Sequence, residues 1–168
     1  MENTHDVAII GAGPGGYVAA IRAAQLGLKV ALVEKEHLGG VCLNWGCIPT
    51  KSLLRNAEVI SLLGRGKDFG FTVSSVQVDY GAAVDRSRKV AERLVKGIAA
   101  LMRKNEIEVI EGIGTLQSPT EVLIGDRVLS ARAVIVATGS RARSIPGVTP
   151  DGERVLTYRE AIVLRELP

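Results

Sequence analysis

Val7-Ala8-Ile9-Ile10-Gly11-Ala12-Gly13-Pro14-Gly15-Gly16 is the stretch from which the rest of the chain is read. Four apolar residues without a polar break make a strand buried on both faces, as in a parallel sheet, and the glycines stop it. Gly11, Gly13 and Gly16 stand at G-x-G-x-x-G spacing. The first allows a tight turn, the second lets a pyrophosphate approach the backbone, and the third lets a helix pack closely on the strand. Residues 17–26 are rich in good helix formers and are closed by Gly27 as a C-terminal cap. A helix beginning near Pro14 aims unpaired N–H groups and its positive end at the phosphates. Residues 28–33 form a second buried strand ending at Glu34, whose carboxylate can accept hydrogen bonds from ribose hydroxyls. Strand, glycine loop, helix and strand make a βαβ unit, which implies a parallel sheet. Glu34 would repel a 2′-phosphate, which disfavours a phosphorylated dinucleotide. The fingerprint alone leaves FAD and NAD both open.

Composition narrows the class. At 168 residues the chain is one domain's worth of polypeptide. Apolar residues at 46% and charged residues at 23% argue for a packed core and against disorder. No apolar run approaches the ~20 residues that cross a bilayer. The start, Met1-Glu2-Asn3-Thr4-His5-Asp6, lacks the basic and apolar stretches of a signal peptide. A soluble, cytoplasmic protein with no membrane partner is the expectation. A net charge of +3 is too small, and 4% aromatics too few, for a nucleic-acid partner.

The later segments continue an α/β pattern. Residues 39–51 shift to Gly, Cys, Asn and Pro, followed by a helical stretch over 52–63 and a Gly-rich turn over 64–70. A longer helix lies between Tyr80 and Lys104, with Val84, Ala91, Leu94, Val95, Ile98, Leu101 and Met102 at helical spacing. Arg86, Arg88, Lys89, Arg93 and Lys96 read as its solvated face rather than as a docking site for an acidic partner. Short strands are expected at 108–113, around Leu116, at 121–124 and at 127–129, with Gly125-Asp126 as a hairpin turn. A separate apolar strand is expected at 133–137, closed by Thr138-Gly139-Ser140. Residues 141–152 read as irregular, and 157–167 as one or two helical turns.

The only cysteines, Cys42 and Cys47, are separated by Leu43-Asn44-Trp45-Gly46. Two cysteines exclude a disulfide framework. Zinc would want two further ligands, and neither His5 nor His37 stands at a ligand-like spacing, so no metal site is expected. A close pair at a helix start with Lys51 nearby would favour a thiolate, the requirement for dithiol–disulfide exchange.

The run Leu38-Gly39-Gly40-Val41-Cys42-Leu43-Asn44-Trp45-Gly46-Cys47-Ile48-Pro49-Thr50-Lys51 resembles the redox-disulfide segment of the flavoprotein disulfide reductases. Mercuric and glutathione reductases share the C-x₄-C frame, but Leu43, Trp45 and Ile48 are more similar to the dihydrolipoamide dehydrogenase branch. The glycine fingerprint, the helix end Met102-Arg103-Lys104-Asn105, the turn Gly112-Ile113-Gly114 and the segment Ala137-Thr138-Gly139-Ser140 carry the same resemblance. It implies a Rossmann-like FAD-binding domain over residues 1–168, with a central parallel sheet, helices and a small antiparallel meander. It also implies an oxidoreductase, a flavoprotein of cell redox homeostasis that oxidises dihydrolipoamide with NAD⁺.

By that resemblance Gly11, Gly13, Pro14, Gly16 and Glu34 would hold the FAD pyrophosphate and adenosine ribose, with Lys35 and Gly40 beside them. Cys47 would face the flavin as a charge-transfer thiolate, Cys42 would exchange with substrate, and Lys51 would stabilise negative charge near the flavin. Gly114, Ala137, Thr138 and Gly139 would also lie close to the cofactor. The partners implied are the lipoyl domain of a 2-oxo-acid dehydrogenase complex and a second copy in a homodimer. Family members are much longer, with an NAD-binding domain and a dimerisation domain that supplies a catalytic histidine across the dimer. Neither domain is expected here, so the chain would carry the reaction's motifs without completing it. His5 and His37 do not match the catalytic position and read as ordinary surface residues. An FAD- or nucleotide-binding thiol-exchange module without turnover, or another disulfide reductase such as a mercuric reductase, are the competing readings.

Overall fold

The apolar run that opens the chain forms the middle of a sheet because partners cover it on both edges. In the computed structural model, which describes residues 4–167, β1 (His5–Ile10) lies between β2 (Val30–Glu34) and β6 (Arg127–Val136). β1 pairs parallel with both neighbours, and β2 pairs parallel with β3 (Glu108–Glu111). Beyond β6 the sheet turns antiparallel through β5 (Glu121–Ile124) and β4 (Gly114–Ser118), giving the order β3-β2-β1-β6-β5-β4. This is the α/β architecture expected, with its parallel centre and antiparallel meander.

Helix α1 (Pro14–Gln25) follows β1, with Gly13 as its N-cap and proline in the first turn, where a missing N–H is no loss. Next come α2 (Gly40–Asn44) and α3 (Cys47–Gly64), then a 3₁₀ turn at Gly66–Phe69, α4 (Tyr80–Lys104) and α5 (Tyr158–Ala161). No helix among the described residues is long and apolar enough to cross a membrane.

The structure departs from the sequence reading in four places. The strands expected at 127–129 and 133–137 are one strand. Residues 127–130 of β6 pair antiparallel with β5, and 131–136 pair parallel with β1. Nothing in Ser130-Ala131-Arg132 breaks the extended backbone, and Ala131 is wholly buried where the two pairings meet. Second, residues 40–44 are helical, and α3 begins at Cys47 rather than at Ser52. Pro49 is compatible with this because it falls in the first turn of α3. Third, Leu94 and Leu101 of α4 are exposed, while Val84, Ala91, Ile98 and Met102 form the buried stripe.

The fourth departure is His5. It is not a surface residue ahead of the first strand. It begins β1 opposite Ala131 and is 5% exposed, because the continuous β6 lengthens the pairing by two residues. Its Nε2 lies 2.8 Å from Oε2 of Glu108, an ion-pair distance without a well-aligned ring hydrogen bond. His37 is exposed, as expected.

The described residues divide into two compact units, one running up to Asn44 and taking in Arg93–Arg141, the other made of Trp45–Glu92 and the stretch from Ala142 on. In the first, α1 packs on one face of the sheet, where Ile9 meets Gly16. The other face brings Ala8, Ile10, Ala31 and Val33 together with Val122, Ile124 and Leu129 of the meander. Burial of these side chains on both faces is the dominant favourable contribution to folding of this unit. In the second unit, Arg86 of α4 donates to Ser52 Oγ at 3.0 Å and Asn56 Oδ1 at 3.2 Å of α3, so it is more than a solvated charge. Arg165 pairs with Asp85, and the Arg159 guanidinium stacks 4.0 Å from the centre of the Trp45 ring.

Glu108 links β3 to β6 through Arg127, at 2.9 Å. That hydrogen bond and charge, together with His5, outweigh partial desolvation and hold the Glu108 carboxyl below the usual glutamate range. A carboxylate with a lowered folded-state pKa stabilises the fold above its unfolded pKa, and the contribution is lost as pH falls through the folded value. Glu108→Gln is therefore expected to lose less Tm than the parent between about pH 5 and 3. An unchanged Tm-against-pH slope would show that this carboxylate is not among the groups responsible.

Candidate functional site

The glycine loop is built by close backbone approach at two positions and left open at a third. Gly11 has φ +100°, and a Cβ there would lie 2.4 Å from the Ala137 carbonyl oxygen. A Cβ on Gly16 would lie 1.8 Å from the Gly11 carbonyl oxygen. Both glycines are thus required by the protein's own packing. Gly13 differs: a Cβ there would meet nothing within 4 Å, so its side-chain direction is open space at the start of α1. No side chain caps that helix start. The first-turn amides of any helix lack intrahelical acceptors, so the opening faces donors and the positive end of a helix dipole.

Glu34, at the end of β2, is half-buried and joined to this loop. Its Oε2 accepts from Ala12 N at 2.7 Å and its Oε1 from Glu36 N at 2.9 Å. Each oxygen keeps a second lone-pair direction, since an ionised carboxylate has about four acceptor sites. Beside it lies a cavity of about 150 Å³ whose lining includes Gly11, Glu34, Lys35, Gly114 and Thr138. Five of the residues singled out from sequence thus share one cleft. Ala137 closes the loop instead, donating its N–H to Ile10 O at 2.8 Å. Gly139, at φ +70°, follows just beyond it.

The cleft also contains Gly112 and Ile113, which motif reasoning did not single out as site residues. Ile113 is 69% exposed between two glycines, and an isoleucine set between glycines in a turn was the available signal. Gly112 has φ +148°, and a Cβ there would press to 2.7 Å on Ile124.

These residues fit one end of a dinucleotide. A carboxylate can take a diol, an exposed apolar flank can take a base, and an open glycine at a helix start can take a pyrophosphate. The cavity is smaller than the ~300–1,000 Å³ of a complete ligand pocket, consistent with a subsite for part of a long ligand.

The cysteine-bearing segment starts against the loop. Gly40, at φ +57°, opens α2 so close to Gly13 that a Cβ on it would lie 2.7 Å from Gly13 Cα. Gly39 N donates to Ala12 O at 2.8 Å. Cys42 is half-buried in the middle of α2. In the second unit, Cys47 is exposed as the first residue of the 18-residue α3, with Gly46 as a backbone-only cap. Lys51 follows at i+4 from Cys47, the spacing of neighbours on one helix face, and is exposed. Among the described residues no three His, Cys, Asp or Glu side chains are grouped to hold a metal ion.

The family model for pyridine nucleotide-disulphide oxidoreductases matches residues 5–168. A dihydrolipoyl dehydrogenase of Rhizobium etli is 48% identical over 188 residues, covering 100% of this chain and 39% of that protein. One of Chlorobaculum tepidum is 51% identical, covering 97% of this chain and 36% of that protein. The crystal structure of LpdA from Mycobacterium tuberculosis superposes with a TM-score of 0.84 at 28% identity, covering 97% of this chain and 38% of that one. The chain therefore spans a little over a third of the length of the relatives it matches.

Proposed function

The chain belongs to the pyridine nucleotide-disulphide oxidoreductase family, and from that membership we propose that it carries the FAD-binding and redox-dithiol portion of a dihydrolipoyl dehydrogenase. The observation that carries this reading is the packing of Gly40 on Gly13, which joins the start of the cysteine-bearing segment to the open position of the dinucleotide loop. Gly11 and Gly16 shape the loop, Gly13 leaves room for the pyrophosphate, and the first turn of α1 offers it donors. Glu34 accepts from the adenosine ribose while keeping its bond to Ala12, and Ile113 flanks the base. When bound, FAD supplies a two-electron acceptor for the dithiol.

The cysteines supply the exchange chemistry. In the oxidised protein Cys42 and Cys47 are joined by a disulfide. A substrate thiolate attacks the Cys42 sulfur, forming a mixed disulfide and releasing Cys47 as the thiolate. The second substrate thiol then displaces Cys42, so the substrate leaves as a disulfide and the protein holds two thiols. Two electrons and two protons have passed from substrate to protein. Lys51 would stabilise negative charge that develops as electrons reach the flavin. The substrate class is a 1,3-dithiol such as the dihydrolipoyl group of a 2-oxo-acid dehydrogenase complex, and in the whole protein a second copy completes a homodimer. NAD⁺ is the terminal acceptor of that whole protein.

Purified chain mixed with FAD and passed over a gel-filtration column is expected to elute yellow. Anaerobic dihydrolipoamide is then expected to be oxidised, with thiol loss from the substrate read by mass spectrometry. A colourless protein that leaves dihydrolipoamide unchanged would refute the proposal. A yellow protein that exchanges thiols with dihydrolipoamide while its flavin absorbance stays unbleached would place the chain with nucleotide-binding thiol-exchange modules.

A further inference from the structure

Asn44 lies between the two cysteines and is 7% exposed. Its side-chain amide has two N–H donors, and both are used: one goes to Gly40 O at 2.9 Å, the other to Leu38 O at 3.0 Å. The turn held in this way passes the connection on. Gly39 N donates to Ala12 O at 2.8 Å, and Ala12 N donates to Glu34 Oε2 at 2.7 Å. A continuous set of hydrogen bonds therefore runs from Asn44 through the glycine turn and the dinucleotide loop to the carboxylate at the end of β2.

The turn needs such a hold. α2 has only five residues, far below the length at which a helix is stable by itself. Gly39 and Gly40 sit at φ +87° and +57°, one of the many conformations open to glycine in a loosened chain. Leu43 packs against Gly39, which leaves no space there for a side chain. Asn44 is thus the polar side chain that closes α2 and ties it to the preceding glycine turn, with Cys42 two residues away inside the same turn.

We propose that Asn44 is a positioning residue for Cys42, its two amide donors bracing the glycine turn that seats the redox helix on the dinucleotide loop, so that thiol reactivity and FAD affinity depend on one lock. The redox part rests on the function proposed above, but the thiol measurement needs no flavin and stands or falls separately. Removing both donors leaves the backbone bond from Gly39 to Ala12 but loosens the glycine turn through which α2 rests on the loop. Cys42 then reacts faster, and the open position at Gly13 loses its backing and holds FAD less tightly.

The test uses a Cys47→Ser chain, in which Cys42 is the sole thiol, and its Asn44→Ala and Asn44→Asp derivatives. Reaction with 2,2′-dithiodipyridine converts the Cys42 thiol to a mixed disulfide and releases thiopyridone, and it can be followed in acid as well as at neutral pH. Asn44→Ala is expected to raise the rate about tenfold and to weaken FAD binding, read by flavin fluorescence, by a similar factor. Asn44→Asp has nearly the same shape but no donors when ionised, so it is expected to match alanine at pH 7. As its carboxyl protonates it regains one donor, and its excess rate over the parent is expected to shrink from pH 7 to 4 while that of alanine stays constant. Should alanine fail to fold by circular dichroism, the aspartate variant alone supplies the comparison between the two pH values. Parent-like rates in both variants, or an aspartate excess that ignores pH, would overturn the lock. A parent chain that never binds FAD would instead overturn the proposed function, with the lock still judged by the thiol rates.

Discussion

Gly16→Ala is expected to cost this protein its fold, while Gly13→Ala, three residues earlier in the same motif, is expected to keep the fold and lose FAD. At Gly16 the new methyl would lie 1.8 Å from the Gly11 carbonyl oxygen, far inside van der Waals contact. Its neighbour is backbone, which cannot rotate away as the tip of a long side chain can. Relief requires α1 to lift off β1, exposing Ile9 and Ala20, both fully buried. Overpacking typically costs ~1–3 kcal/mol, and a backbone neighbour that cannot move puts this site at or above ~3 kcal/mol, a large part of the ~5–15 kcal/mol that stabilises a typical domain. Gly13 has φ −69°, which alanine adopts without strain, and no atom lies within 4 Å of the added methyl. The fold then loses only what alanine costs at a helix N-cap, about 1 kcal/mol or less. The methyl instead occupies the space through which a pyrophosphate must approach. Urea unfolding and a flavin fluorescence titration on the two variants separate these effects. Equal losses of stability, or tight FAD binding by Gly13→Ala, would contradict the division of labour within the loop.

Replacing either cysteine by serine is expected to lower two-electron oxidation of a dithiol by at least about 10³-fold, because a lone thiol cannot form the protein disulfide that the substrate thiolate attacks and that takes up the two electrons. The two variants should stop at different points. Cys47→Ser keeps Cys42, so on mixing with the substrate disulfide its thiolate opens the S–S bond, leaving the other substrate sulfur as a thiol, and a covalent adduct of one substrate mass is expected to accumulate. Cys42→Ser is expected to form that adduct slowly or not at all and to retain FAD. Intact-mass spectrometry reads both. An adduct that forms on Cys47 in preference to Cys42 would exchange their roles. That outcome has a structural basis to be weighed, since Cys47 is the more exposed of the two in the chain by itself.

The glycine loop shows how sequence and structure divide the explanation. Spacing alone identified Gly11, Gly13 and Gly16 as a set, because turn geometry and close packing are local demands on backbone. That only Gly13 is dispensable to the fold depends on what lies opposite each α-carbon, and those atoms belong to Ala137, Thr138 and Ile9 as well as to the loop itself. Glu34 was legible as a carboxylate at a strand end. Its bonds to Ala12 and Glu36 were not, since they depend on how the turn after β2 folds back.

Local pattern was therefore sufficient for β1, α1, β2, the extent of α4, the hairpin at Gly125-Asp126 and the cysteine motif, all of which follow from side-chain period, glycine placement and short spacing. Contacts between residues distant along the chain set the remainder. They made β6 one strand, buried His5 against Glu108, exposed Leu94 and Leu101, gathered Gly112 and Ile113 into the cleft, and turned Asn44 inward. Burial and hydrogen-bond partnership are properties of which surfaces come to cover one another, and a pattern with a period of two or 3.6 residues does not encode that.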